Sequence, residues 1–265
     1  LQVVSNGVEK YSDLPTRFEA GYTVAITGVE GVSSKYYVKW NGRAWEECIK
    51  PGLKYKLDPA TMPHTLTPNG DGTWTFGRIT DWAERLVGDD KTSPVPSFVD
   101  VGINSVLFHR NRLGFLGGDC AVLSRAGDYY NFWPTSAQQV IDTDPIDLSA
   151  GHDSVTKLTW AVGFNQSLLL WSDASQQFVL AAGDTLSPKS ARIAPTTSFA
   201  FKPEVRPVSI GNKAVFAAPY GDSTQVNLYK VSDDRLTNTS DDLTDDCPTY
   251  IPAGVSTLYA QTTAK

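Results

Sequence analysis

The sequence is poor in the residues that build helices. Its 29 acidic side chains divide into 22 Asp and only 7 Glu, and 21 Gly and 16 Pro stand beside them. Glu suits helix interiors, whereas Asp, Gly and Pro suit turns, so a helical fold is excluded and an all-β one expected. Cysteine is nearly absent. Cys48, Cys120 and Cys247 are odd in number, far apart and without C-x-x-C spacing. That excludes a disulfide framework and predicts reduced thiols in a protein assembled in a cytoplasm. No run reaches 18 apolar residues and no signal-peptide pattern is present, so no membrane span and no secretory leader are expected. Basic charge is also short: 23 Lys and Arg give a net charge of −6, and residues 233–246 (DDRLTNTSDDLTDD) hold six Asp against one Arg. A strong grip on nucleic acid is thereby excluded, since that grip comes from Lys and Arg releasing counterions. The first residues are Leu1-Gln2 rather than Met, which predicts an internal piece of a longer protein.

What is abundant is aromatic: seven Trp, eleven Tyr and eleven Phe, which pleated sheets accommodate well. Residues 106–133 (VLFHRNRLGFLGGDCAVLSRAGDYYNFW) hold four apolar runs, VLFH, RLGFL, CAVLS and YYNFW, parted by Arg110-Asn111, Gly117-Gly118-Asp119 and Ala126-Gly127-Asp128. Runs this short with turn residues between them predict an up-and-down antiparallel meander. Asn111-Arg112-Leu113-Gly114-Phe115-Leu116 is echoed by Asn165-Gln166-Ser167-Leu168-Leu169-Leu170-Trp171 and by Asn212-Lys213-Ala214-Val215-Phe216-Ala217-Ala218. Each copy is followed by a second apolar run, at 120–123, 178–181 and 226–229. The Asn spacings of 54 and 47 residues suit propeller-type blades, about three of them and incomplete, with Leu113, Leu168 and Val215 in equivalent strands.

Along the chain, Asn41-Gly42 predicts a hairpin between 35–40 and 43–48, and residues 69–72 (NGDG) predict a second, returning through 73–76. Residues 57–66 are expected to be extended, 81–87 (DWAERLV) helical between an Asp81 cap and Gly88, and 239–247 a short helix with Asp241 and Asp242 in its first turn. An edge strand is expected within 186–202 and another strand at 255–260. Two prolines in 89–98 (DDKTSPVPSF) mark a linker. The expected domains are therefore a β-rich N-terminal one, 1–95, and a propeller-type one, 96–265.

Catalytic chemistry finds no footing. Ser154-Val155-Thr156-Lys157 matches S-x-x-K, but neither S-D-N nor K-T-G accompanies it. His64, His109 and His152 are isolated, with no H-x-x-x-H pair. Residues 114–118 lack a phosphate-cradling glycine pattern and a following helix. Asp142, Asp144 and Asp147 lie within six residues; a turn anchored by Asp side chains outweighs a calcium loop there, whose full pattern is missing. No catalytic, cofactor-binding or metal-ligating residue is assigned, and no cofactor is expected. Arg110, Arg112 and Arg125 form the basic cluster of the organising stretch and are expected to pair with Asp119, Asp128 or a neighbouring subunit.

One resemblance covers nearly the whole chain. Its ordered motifs are Leu57-Asp58-Pro59-Ala60-Thr61-Met62-Pro63-His64, Trp82-x-x-Arg85-x-x-Gly88-Asp89, the Asn111–Leu116 run, Leu123-Ser124-Arg125 and Tyr130-Asn131-Phe132. Asp144-Pro145-Ile146-Asp147, Trp171-Ser172-Asp173, Phe178-Val179-Leu180 and Tyr250-Ile251-Pro252-Ala253-Gly254-Val255 follow. Together they resemble the tail tubular protein B, or tail nozzle, family of short-tailed bacteriophages. The resemblance implies a structural, non-enzymatic virion protein, sixfold around the tail axis, with propeller-type β domains. Its implied partners are copies of itself, the tail adaptor protein and tail fibres, with duplex DNA passing through untethered. A tail-associated polysaccharide-binding or glycan-hydrolysing module is the rival expectation.

Overall fold

Aromatic and β-branched residues in short runs assemble the first sheet from β1 (Gly7–Val8), β2 (Thr23–Ile26), β3 (Tyr36–Trp40) and β4 (Trp45–Cys48), in that order. The computed structural model describes residues 7–28, 35–151, 156–232 and 237–261. β1 runs parallel to β2, and the rest are antiparallel. Val24, Ile26, Val38, Trp40 and Trp45 form its buried side, closed by Leu14. The hairpin at Asn41 forms with a four-residue loop in place of a two-residue turn. Only Gly42 is left-handed there, and the Asn41 carboxamide oxygen accepts from the amides of Arg43 and Ala44 at 2.8 Å each. The second hairpin, β5 (His64–Pro68) and β6 (Trp74–Arg78), stands as a two-stranded sheet.

Residues 81–87 are not helical. They run extended, with bridges between Lys56 and Glu84 and between Ile49 and Gly88, and the Lys50 amide donates to the Gly88 carbonyl at 2.8 Å. Two turns of helix recover few hydrogen bonds against the cost of nucleation. The extended course instead buries Trp82, Arg85 and Val87 while Glu84 and Leu86 face out.

Three four-stranded sheets follow. α1 (Phe98–Val101), a single turn, precedes β7 (Ser105–His109), β8 (Arg112–Gly117), β9 (Cys120–Leu123) and β10 (Ile146–Ser149). The next sheet is β11 (Leu158–Phe164), β12 (Ser167–Ser172), β13 (Gln177–Ala181) and β14 (Arg192–Thr197). The last is β15 (Val208–Ile210), β16 (Lys213–Tyr220), β17 (Ser223–Val231) and β18 (Asn238–Asp242). Each is antiparallel with its strands in sequence order. The turns repeat as well: Arg110 (φ 44) and Asn111 (φ 61) join β7 to β8, and Asn165 (φ 44) and Gln166 (φ 66) join β11 to β12. Paired left-handed residues match the natural twist of a hairpin.

Leu113, Leu168 and Val215 all lie in the second strand of their sheets, and the runs 120–123, 178–181 and 226–229 all lie in the third. The residue-level match is one position off in the third copy. Counted from the strand start, Leu113 and Leu168 correspond to Ala214, because a shift of one residue exchanges the two faces of a strand. Leu168 and Leu170 face a core shared with Leu107, Leu116 and Leu123 of the preceding sheet. Leu169 and Trp171, on the other face of β12, share a second core with Ala214, Phe216 and Ala218 of the following sheet. The middle sheet is thus buried on both sides, which is why β12 is an unbroken apolar run.

The chain divides into two compact units, one of Leu1–Pro96 with Ser124–Pro145, the other of Ser97–Leu123 with Ile146–Lys265. The fourth apolar run, 129–133, is accordingly not a strand of the meander, whose fourth strand is β10. Within the first unit Trp82 meets Tyr130 edge-on at 5.2 Å, and the Trp133 indole donates to the Ala83 carbonyl at 3.0 Å. The expected edge strand is β14, with Pro195 tolerated at the sheet margin. Residues 239–247 form no helix: the segment enters β18 and then a turn, and Lys230 holds Asp241 at 2.6 Å on the neighbouring strand. Residues 255–260 carry no strand. Among the described residues no helix is long and apolar enough to cross a membrane.

Candidate functional site

Several of the groups singled out in the sequence are tied into local structure. Asp144 is buried and accepts from the Thr135 amide at 3.0 Å, the Thr135 hydroxyl at 2.7 Å and the Ile141 amide at 3.0 Å. It anchors a turn. Asp147 accepts from the Ser97 amide at 2.9 Å, and Asp142 is exposed. Among the described residues no three His, Cys, Asp or Glu side chains gather as metal ligands would. The His64 ring contacts the Met62 carbonyl at 3.1 Å and stacks on Phe76. His109 ends β7, where burial and then the Arg110 charge hold its pKa below the usual imidazole range. Ser154 and His152 lie outside the described residues. The Lys157 amide donates to Asp173 at 2.9 Å.

The arginine cluster is split. Arg125 faces Asp128 at 4.0 Å, one of the expected pairings. Arg110 instead donates to the Gln166 carbonyl at 2.9 Å, and Arg112, fully buried, to the Leu186 carbonyl at 3.2 Å. Both therefore fasten the β7–β10 sheet to the loops of the next one. Hydrogen bonds to backbone carbonyls from a buried guanidinium are invisible in a charge count.

Two glycines mark close approaches. A Cβ at Gly117 would lie 2.6 Å from the Gly102 carbonyl oxygen and 3.0 Å from the Phe98 Cβ, and one at Gly114 would lie 2.8 Å from a Leu107 methyl. The run 114–118 is shaped for packing.

Carboxylate shifts point the same way. The Ser149 hydroxyl holds the Asp119 pKa low, and the Thr73 hydroxyl and amide hold Asp71 low. Burial pushes Asp89 upward, but hydrogen bonds from the Lys91 and Thr92 amides and the Thr92 hydroxyl outweigh it and leave it lowered. A glycosidic general acid needs the opposite shift. The Cys120 thiol is pushed up to about 11 by burial and by Asp119, so it is a poor nucleophile. A depressed carboxylate stabilises the fold above its unfolded pKa, and the contribution disappears as pH falls through the folded value. Asp89→Ala should therefore lower the melting temperature more at pH 7 than in acid, with the difference from the native protein shrinking as pH falls; a loss that does not change with pH would contradict this.

Sequence patterning overlooked one surface. In β5 and β6 the residues alternate as H-T-L-T-P and W-T-F-G-R, and Leu66, Trp74 and Phe76 remain largely exposed. The alternation was visible; that its apolar face lacks a cover was not.

Sheets packed face to face around shared apolar cores define an all-β protein. The chain matches the bacteriophage nozzle proteins over residues 1–265 and belongs to that family. It is 37% identical over 262 residues to the tail tubular protein gp12 of Escherichia phage T7, covering 97% of this chain and 33% of that relative. The chain thus spans about a third of that relative's length. It is a structural component of the phage virion tail.

Proposed function

We propose that this chain forms part of a nozzle subunit that joins copies of itself, sixfold in the tail, around a bore through which duplex DNA leaves the particle. The observation that carries this is the repeated relation between sheets: twice, the same face of one sheet packs on the opposite face of the next. A relation applied repeatedly builds a fan of blades, here about three of a propeller-type domain, preceded by the β-rich N-terminal part. Such a body is a rigid wall element, and its work is mechanical. The tail adaptor protein and tail fibres are its neighbours in this scheme, and assembly takes place in the host cytoplasm.

A conduit must not retain its cargo. Each phosphate neutralised by Lys or Arg adds to retention, and here the 29 acidic side chains outnumber the 23 basic ones. Repulsion acts only within about 10 Å at 0.1 M salt, enough to govern a wall but not to bar passage. Labelled duplex titrated at low salt should show no submicromolar binding by fluorescence anisotropy. Tight binding that weakens steeply with added salt would reveal a basic track and contradict the scheme.

A further inference from the structure

The β5–β6 hairpin presents an uncovered apolar face of defined composition. Its register pairs His64 with Arg78, Leu66 with Phe76 and Pro68 with Trp74, so these six share one face. Thr65, Thr67, Thr75 and Gly77 take the other. Leu66, Trp74 and Phe76 are 60, 59 and 72% exposed. A lone two-stranded hairpin is marginal in water and gains stability when such a face is packed, and an exposed apolar patch of this kind marks an interaction surface. The base of the face is basic: Arg78 is exposed with no ion pair among the described residues. The tip is polar, with the Asp71 carboxylate accepting from the Thr73 amide at 2.8 Å and the Asn69 carboxamide donating to the Thr73 hydroxyl at 2.9 Å. An ionised tip opposes insertion into lipid, so the apolar flank suits a protein partner.

We infer that this face docks on the loop following β18 in a second copy of the chain. The inference rests on the ring-forming function proposed above. A closed ring with parallel subunits needs a heterologous contact, two different surfaces on each copy. The loop supplies the complement: Leu243 and Tyr250 are 56 and 82% exposed, and between them Asp245 and Asp246 are exposed with no ion pair among the described residues. The loop is held in place, because the Leu243 amide donates to the Val226 carbonyl at 2.8 Å and the Cys247 amide to the Thr244 carbonyl at 2.9 Å. Trp74 and Phe76 meet Leu243 and Tyr250, and Arg78 meets Asp245 and Asp246.

Cys247 is an exposed thiol in that loop, which provides the test. Assembled tails carrying Phe76→Cys are oxidised and run on a non-reducing gel. A ladder of covalent multimers is expected, lost when Cys247→Ser is added and absent with Thr75→Cys on the opposite face. Intact rings that give no ladder, or a cross-link within one chain or to a different tail protein, overturn the contact while leaving the nozzle function standing. Tails in which the chain occupies no ring overturn both. Because Phe76→Cys could disturb folding, Arg78→Glu is measured in parallel. It should lower assembly about tenfold and be rescued by Asp245→Lys with Asp246→Lys; assembly unaffected by Arg78→Glu, or not rescued, counts against the contact.

Discussion

Replacing Trp171 by alanine should cost about 3–5 kcal/mol of stability, the range for deleting a large buried aromatic. Trp171 is fully buried, with its ring centroid 4.7 Å from Phe216, 5.1 Å from Phe201 and 5.9 Å from Tyr229. The sheet that carries it and the sheet it packs against are both held by this cluster. Its indole N–H has no hydrogen-bond partner among the described residues, so packing alone accounts for the loss. Trp171→Phe, which keeps most of the apolar volume, should therefore lose far less than Trp171→Ala in chemical denaturation. Similar losses for both would mean that the indole nitrogen, and not the packing, matters.

Gly117→Ala should cost about 1–3 kcal/mol, the range for forcing an extra methyl into a packed site. The new Cβ would meet the Gly102 carbonyl oxygen at 2.6 Å and the Phe98 backbone at 3.2 Å. Backbone cannot rotate aside, so α1 would have to move off the sheet and disturb the edge-on contact of Phe98 with Phe115 at 5.2 Å. Gly114→Ala meets leucine methyls, which can change rotamer, and should cost less. Gly163→Ala meets nothing within 4 Å and should stay within about 0.5 kcal/mol of the native protein. An unaffected Gly117→Ala would show that α1 is free to shift.

The repeat was legible because its punctuation is local. Asn and its neighbours at 110–111 and 165–166 accept left-handed dihedrals, and the apolar runs beside them have strand length. What the Asn spacing could not supply was the register within the third copy. There Gly211 takes the left-handed position, and Ala214 rather than Val215 matches Leu168. The helix expected at 81–87 failed because capping residues compete with tertiary partners, and here Tyr55, Cys48 and Tyr130 supply carbonyls to the segment. The strand expected at 129–133 is missing for a related reason. Tyr130 and Phe132 are as strand-like as any run in the chain, yet their partner is Trp82, and no local pattern encodes which distant indole an aromatic will meet. For the candidate site, the turn role of Asp144 followed from its spacing before Pro145. The carbonyl bonds of Arg110 and Arg112 depend on the neighbouring sheet and had no local signal.

The central claim is that these sheets form wall segments of a ring around the path of DNA. Electron cryomicroscopy of intact tails tests it most directly. The prediction is six copies of the chain around the tail axis, each with its three four-stranded sheets stacked in chain order beside an open bore. Density for the chain away from that axis, in a copy number unrelated to a ring, or across a closed bore would contradict it.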